Sequence, residues 1–276
     1  MTRAFSLQGI ILHTLLIFGL LLSLFPFFWM VVMATNDTSA VYSVPPTLTF
    51  GSELMNNINE VFANTNFLNS FKNTIFVTVV ATFFKLFFAS LAGFVFAKYD
   101  FRGKNFLFFF LLVTMMIPSQ LSLVPNFIIM DTLGWLGEFK ALIIPDLASA
   151  FGIFLIRQYS EEAIHNDLMD AGVMDGCNNF RLYMHIALPI MRPMLAFFGM
   201  VTFMGVWQDY LWPLIVMTNP EKYTLMIELA QLKSLYSIDY ALVMTGSLLA
   251  TLPLIIVFLL FSKQFIAGIA DGAVKS

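Results

Sequence analysis

The stretch IILHTLLIFGLLLSLFPFFWMVVM, Ile10–Met33, decides the fold. It is apolar throughout except for His13, Thr14, Ser23 and Pro26. At roughly 1.5 Å per residue it reaches about 36 Å, enough to cross a hydrocarbon core of roughly 30 Å with some tilt. The apolar region of a secretory leader is shorter, about 7–15 residues. This run follows Arg3 and ends without a small-x-small cleavage site, so it reads as a retained first transmembrane helix.

The rest of the chain is of the same kind. Its 276 residues are 59% hydrophobic and 11% charged, with 32 Phe and 17 Met, and the mean hydropathy is +0.83. A soluble domain is nearer about half apolar and about a quarter charged. One water-soluble core cannot hide that much apolar surface, which excludes a soluble enzyme. A net charge of -3 with 14 Lys and Arg argues against nucleic acid as a partner. Cys177 is the single cysteine, so no internal disulfide or thiolate cluster is expected. His13, His165 and His185 lack metal-ligand spacing, and no metal site is expected.

Five further apolar stretches follow: Phe71–Ala97, Phe106–Ile129, Ala141–Tyr159, Met194–Met217 and Tyr240–Phe261. They predict an all-α polytopic membrane protein with six transmembrane helices. Pro118 should break or kink the third. Six spans put both termini on one side, and Lys and Arg decide which. The terminal side holds Arg3, Lys98, Arg102, Lys104, Arg157, Arg181, Arg192, Lys263 and Lys275; the other holds Lys72, Lys140, Lys222 and Lys233. The positive-inside rule therefore places both termini in the cytoplasm. The external connection Asn36–Ser70 reads as a loop with one short helix. A second long connection, Ser160–Pro193, is cytoplasmic. No internal repeat or second soluble domain is visible.

Within that connection, Glu161–Asp175 reads EEAIHNDLMDAGVMD, with five acids and no Lys or Arg. Ile164, Leu168 and Ala171 recur at i, i+4 and i+7, the apolar stripe of a short helix. Asn166 or Asp167 is suited to cap its start. Gly172 and Gly176 remove side chains where another backbone could approach. The expected product is an acidic, partly apolar knob for a basic groove on a partner. A helix lying on the membrane is the alternative, but an acidic face is repelled by anionic cytoplasmic lipid.

These residues resemble a family. Asp170-Ala171-Gly172, three residues, Gly176, nine residues, then Ile186-x-Leu188-Pro189 matches the EAA loop of bacterial ABC importer permeases. The spacing agrees throughout; Asp170 stands where Glu is usual and Gly172 where Ala is usual. Met116-Ile117-Pro118, Leu133-Gly134-Trp135-Leu136, Ala150–Gln158 and Trp207–Leu214 are similar to the maltose-type carbohydrate importers. Gly272-Ala273-Val274-Lys275 resembles the ending of that family's smaller permease subunit.

The resemblance implies a type I ABC importer permease fold, with residues 1–276 as one permease domain and 70–262 as its transmembrane core. It implies a non-catalytic subunit in the inner membrane that passes a sugar from an external binding protein to the cytoplasm. Partners would be a second permease subunit, two ATPase subunits, the sugar-binding protein and the lipid bilayer. The chain has no G-x-x-x-x-G-K-[ST] phosphate loop. ATP and Mg would accordingly be bound by the ATPase subunits, and no cofactor by this chain. The ATPase-docking set implied is Asp170, Ala171, Gly172, Asp175, Gly176, Ile186, Leu188 and Pro189. The loop Thr218–Asp239 aligns with one that reaches into the binding protein, and the tail Asp271–Ser276 with tails that enter the ATPase interface. Permeases for amino acids, peptides or polyamines share the EAA loop but lack the Ala150–Gln158 and Trp207–Leu214 strings. A secondary transporter would favour inverted repeats, which are not seen.

Intramembrane polar groups are the remaining candidates, since a charge at the bilayer centre costs about 2.5–3.5 kcal/mol on translocon scales. Lys85 lies mid-way along the second span. It could line the pathway, pair with an acid on the partner permease, or snorkel. Asp209 lies among Trp207, Gln208, Tyr210 and Trp212. Aromatic faces beside hydrogen-bonding groups suit a sugar; helix–helix hydrogen bonding is the other use.

Overall fold

The computed structural model describes residues 7–233 and 239–273, with side chains for 9–233 and 239–262. Its helices are α1 Leu7–Ala34, α2 Leu54–Asn64, α3 Phe67–Lys98, α4 Lys104–Met115, α5 Leu123–Thr132, α6 Lys140–Ile143, α7 Ala150–Ala163, α8 Asn166–Met174, α9 Asn179–Leu182, α10 Leu188–Trp207, α11 Leu211–Val216, α12 Leu225–Ala230 and α13 Tyr240–Ala273. Arg3, Lys275 and the end of the tail fall outside the described residues.

Among the described residues, four helical stretches are long and apolar enough to cross a membrane: Gly9–Ala34, Phe67–Lys98, Asn179–Trp207 and Tyr240–Ser262. Two bent pairs raise the number to six if each is one span: Lys104–Met115 with Ser119–Thr132, bent 94°, and Lys140–Asp146 with Ala150–Ala163, bent 43°. The first bend falls at Pro118, as expected. The second was not anticipated. There Pro145 interrupts the helix, and Ser149 starts a new one by accepting Gly152 N–H at 3.1 Å.

The fifth stretch is displaced from the expected Met194–Met217. It begins at Asn179 and ends at Trp207. The early start depends on a π-helical turn, Tyr183–Ala187, in which Leu188 N–H bonds to Tyr183 C=O. Pro189 cannot donate a regular helical bond, and this wider turn lets the helix run through it. The early end has a local cause too. Helix α10 closes with Gln208 N–H bonding to Met204 O, and Pro213 shortly after has no N–H to give. The connection after α1 also holds more structure than one helix: a 3₁₀ turn, Thr38–Tyr42, precedes α2.

The chain divides into two compact units, residues 1–68 with 228–252, and residues 69–227 with 253–276. In the first, Val32, Met33 and Ala40 are buried with Trp29, Val41 and Met244 against them. The end of α1 leaves carbonyls without helical partners. Asn57 supplies one, its Nδ2 donating to Ala34 O at 3.0 Å and to Asn36 O at 2.8 Å. Asn57 is therefore a buried clamp and not a loop residue. At the start of α3, Glu228 Oε1 accepts Asn66 N–H at 2.6 Å, a carboxylate on the positive end of a helix.

The second unit holds two apolar clusters. One joins Phe94 of α3, Ile156 of α7, Tyr183 of the π turn and Met191 and Phe198 of α10. Ser90 Oγ and Tyr183 Oη share a hydrogen bond of 2.7 Å there. The helices come close because Gly93 faces Ile156; a Cβ at 93 would lie 2.8 Å from Ile156 Cγ2. The other cluster joins Val77 and Ala81 of α3, Met130, Ala141–Ile143, Val216 and Met217.

Candidate functional site

Two places carry the candidate residues, both within the second unit. The first is the segment after α7. Lys98 Nζ, at the end of α3, donates to Glu161 O and to Asn166 Oδ1, each at 3.3 Å. This ties the α7–α8 junction to a span. Helix α8 starts one step away from the expected caps: His165 is the N-cap residue and makes no side-chain capping bond. Asn166 is already helical, and Asp167 sits in the first turn, where the helix dipole favours an acid.

The expected stripe is also rearranged. Ile164 is fully buried at the end of α7, whereas Leu168 and Ala171 face outward. The inward side of α8 is made by Met169 and Gly172. A Cβ at Gly172 would lie 2.5 Å from Leu182 Cδ2 and 2.7 Å from Ile186 Cδ1, so this glycine sets the spacing between α8 and the α9–π-turn segment. The outward side carries Asp170 and Asp175 with Leu168, Val173 and Met174; Met174 is 88% exposed.

The end of α8 is closed by two backbone bonds, Cys177 N–H to Gly172 O at 2.9 Å and Gly176 N–H to Val173 O at 3.0 Å. That pattern needs a left-handed residue at the turn, and Gly176 has φ +79°. Nothing in the chain lies within 4 Å of where its Cβ would be. Asn178 then starts α9, its Oδ1 accepting Arg181 N–H at 2.9 Å. Ile186, Leu188 and Pro189 are half-buried and carry the segment back into α10. Asp170, Ala171, Asp175 and Gly176 are thus presented on one projecting, solvent-facing turn of chain.

The second place lies along α3. Lys85 is buried near the middle of this 32-residue helix, and its ammonium pairs with Asp146. The acid comes from the same chain, at the bend between α6 and α7. Asp146 was legible in principle: it is the one acid within the fourth apolar stretch, and an intramembrane acid calls for a partner. The residues around Asp209 separate, and Trp212 Nε1 donates to Ala141 O at 3.0 Å. Trp207 is 1% exposed, its ring against Phe71 edge-on at 5.7 Å and stacked on Phe203 at 5.7 Å. Gln208 and Tyr210 are exposed, and Asp209 is half-buried.

The loop after α11 is pinned and does not run free over its described part. Asn69 and Asn73 donate to Glu221 O at 2.5 and 2.9 Å, and Asn73 also to Tyr223 O at 3.0 Å. Lys222 Nζ meets Glu138 Oε2 at 2.6 Å. That hydrogen bond and charge hold the Glu138 carboxyl below the usual carboxylate range. Residues 234–238 of this loop fall outside the described residues.

The chain is similar along its whole length to known permeases. It is 36% identical to the lactose transport system permease protein LacG of Rhizobium radiobacter, over 98% of this chain and 97% of that one. It is 33% identical to the arabinooligosaccharides transport system permease protein AraQ of Bacillus subtilis (strain 168), with the same coverage. It is 29% identical to the sn-glycerol-3-phosphate transport system permease protein UgpE of Escherichia coli (strain K12), over 94% of this chain and 95% of that one. Its fold matches a chain of a bacterial ABC transporter involved in the import of the acidic polysaccharide alginate, with TM-score 0.83 and 24% identity, covering 96% of this chain and 99% of that one. The binding-protein-dependent transport system inner membrane component family matches residues 86–270. With an acidic helix closed by Gly176 and tied to α3 through Lys98, this chain belongs to the inner membrane components of binding-protein-dependent transport systems.

Proposed function

We propose that the chain is the permease subunit of an ATP-driven importer for a sugar, of oligosaccharide size. The observation that carries this is full-length similarity to permeases of lactose and arabinooligosaccharide transport. The chain is non-catalytic: it pairs with a second permease, rests on two ATPase subunits that bind ATP and Mg, and receives sugar from an external binding protein. Each bent helix pair counts as one span, giving six spans with both termini in the cytoplasm, and residues 70–262 form the shared transmembrane core.

Coupling runs through α8. Asp170, Ala171, Gly172, Asp175 and Gly176 seat in a groove of an ATPase subunit, and Ile186, Leu188 and Pro189 pass its movement to α10. The support is geometric: an outward apolar and acidic face on a helix whose start is tied to α3 by Lys98 and whose inner side packs on Leu182 and Ile186. Closure of the ATPase pair moves α8, and α10 is dragged as a rigid body through the π turn. Lys85, Gln208, Asp209 and Tyr210 border the pathway; Trp207 buttresses it from behind.

The test is reconstitution of the complex in liposomes with its binding protein and a panel of sugars. ATP-dependent uptake of at least one saccharide is expected, and uptake of amino acids or peptides in its place would overturn the sugar reading. Orientation is checked by single cysteines. Positions Asn59 and Glu221 should react with an impermeant reagent from outside, and Asn178 should not.

A further inference from the structure

Arg157 is the one charged residue of the Ala150–Gln158 string. It lies in the second half of α7, its side chain 19% exposed. Three helices meet around it. Its guanidinium carbon sits 4.0 Å from the centroid of the Phe108 ring of α4, a cation on an aromatic face. Phe108 in turn packs on Phe96 of α3 at 5.6 Å and stacks on Phe154 of α7 at 6.3 Å. A Cβ at Gly93 of α3 would lie 3.0 Å from the Arg157 backbone N, so α3 and α7 are in close contact at this level. One turn on, Arg157 Nη2 donates to Glu161 Oε1 at 2.5 Å, and the Glu161 carbonyl accepts Lys98 of α3. Arg157 Nε is buried without a hydrogen-bond partner among the described residues; the pose is set by Glu161 and Phe108 rather than by full hydrogen bonding. Only Ile164 and His165 separate α7 from α8, and Ile164 is fully buried. Two residues leave little slack, so a displacement of α8 is passed to the end of α7.

We infer that Arg157 is a positioning residue for coupling: it locks α3, α4 and α7 together at the α7–α8 junction, so that they move as one body with α8. This deepens the coupling proposed for α8 and rests on it. It gives α8 a second connection to the spans, separate from the packing of Gly172 on Leu182 and Ile186 that leads to α10. Arginine suits the task where lysine does not. Its planar group faces a ring and a carboxylate at once, a pose that a point charge on a flexible stem does not hold.

The test uses the assembled complex, otherwise free of cysteine, with Cys177→Ser and nitroxides on Asn105→Cys of α4 and Asp167→Cys of α8, both exposed positions. Their separation is measured by electron–electron double resonance without nucleotide, and with ATP held unhydrolysed by leaving out Mg. In the parent it should be the same in both states. In Arg157→Met it should shift or broaden when ATP binds, and Phe108→Leu should do the same. Combining the two should add nothing, since both remove one contact. Arg157→Lys should fall between parent and Arg157→Met. Binding-protein-stimulated ATP hydrolysis should drop about threefold or more in Arg157→Met with the ATPase subunits still bound. A merely structural role would lower assembly without making the separation depend on nucleotide. Should Arg157→Met not assemble, Phe108→Leu decides by the same measurement. A parent separation that changes with ATP, or one that stays fixed in the variants, would overturn the inference. If instead Asp170→Lys transports normally with the ATPase bound, the docking role of α8 fails, while the rigid link of α4 to α8 stands on its own measurement.

Discussion

Asp170 and Asp146 are both open-faced carboxylates, placed in opposite surroundings. Asp170 sits on a projecting turn of α8 in water, beside exposed apolar residues. Asp146 sits near mid-span, tied to a buried ammonium. Two unit charges 4 Å apart are worth about 1 kcal/mol in bulk water and about 4 kcal/mol at an effective dielectric of 20. The charge of Asp170 therefore contributes little until a partner excludes water around it. The charge of Asp146 matters within the chain itself. One acid is open to a partner on our proposal, and the other ties a bend to a buried ammonium.

The contrast breaks most sharply at Gly176. Valine there must adopt φ near +79°, which costs about 1–2 kcal/mol and opens the bonds that close α8. Gly176→Val and Asp170→Lys should each lower binding-protein-stimulated ATP hydrolysis and uptake at least about tenfold, as expected when a docking charge is reversed or displaced. Both variants should still reach the membrane. Asp170→Glu should be near neutral. Normal transport by both damaging variants, with the ATPase retained on purification, would remove the coupling role.

At mid-span, the two halves of the ion pair should respond unequally. Asp146→Asn leaves the buried Lys85 ammonium without its counter-charge, whereas Lys85→Met leaves an acid that is already open. The first should destabilise the purified complex by about 1–3 kcal/mol, less than the roughly 3–5 kcal/mol of a fully enclosed pair because Asp146 is open. The second should cost less. Melting of the two variants side by side decides the order, and equal losses would mean Lys85 is not the more deeply enclosed partner.

A smaller effect is expected at Gly172, where alanine is the usual residue of the resembling motif. The added Cβ presses on the ends of Leu182 and Ile186, which can turn away, while alanine gains about 1 kcal/mol of helix propensity over glycine. Gly172→Ala should leave stability within about 1 kcal/mol of the parent and keep coupling. The smallest effect concerns the Glu138–Lys222 pair. The Glu138 carboxyl is held below its ordinary value of 4.5, so the pair contributes fully above that pH and is lost as pH falls through the lowered value. Amide exchange in residues 218–223 should be insensitive to this pair between about pH 8 and 5. Glu138→Gln should raise it across that range.

The short acidic helix and its closing turn were readable because their information is local. The spacing of Asp170, Gly176 and Pro189 survives any tertiary arrangement, and a left-handed turn after a short helix asks for glycine wherever it occurs. The orientation of the helix was not local. The stripe through Ile164, Leu168 and Ala171 is split in the fold: Ile164 is buried at the end of α7, while Leu168 and Ala171 point outward and Gly172 fits against Leu182 and Ile186. Periodicity finds an apolar face but does not say whether this chain or another covers it.

Sequence by itself determined the membrane class, from Ile10–Met33 and its five successors, because a bilayer selects for apolar length and nothing else about a helix. It also determined the acidic turn at Gly176 and the kink at Pro118. Tertiary structure alone decided the rest. The partner of Lys85 is 61 positions away at a bend no periodicity marks, and Trp207 is buried where its neighbours are open. The π-helical turn Tyr183–Ala187 carries the fifth stretch through Pro189 and starts it ahead of its hydropathy peak. Hydropathy averages over windows, whereas a single proline acts at one peptide bond, so these features emerge only when the chain is folded.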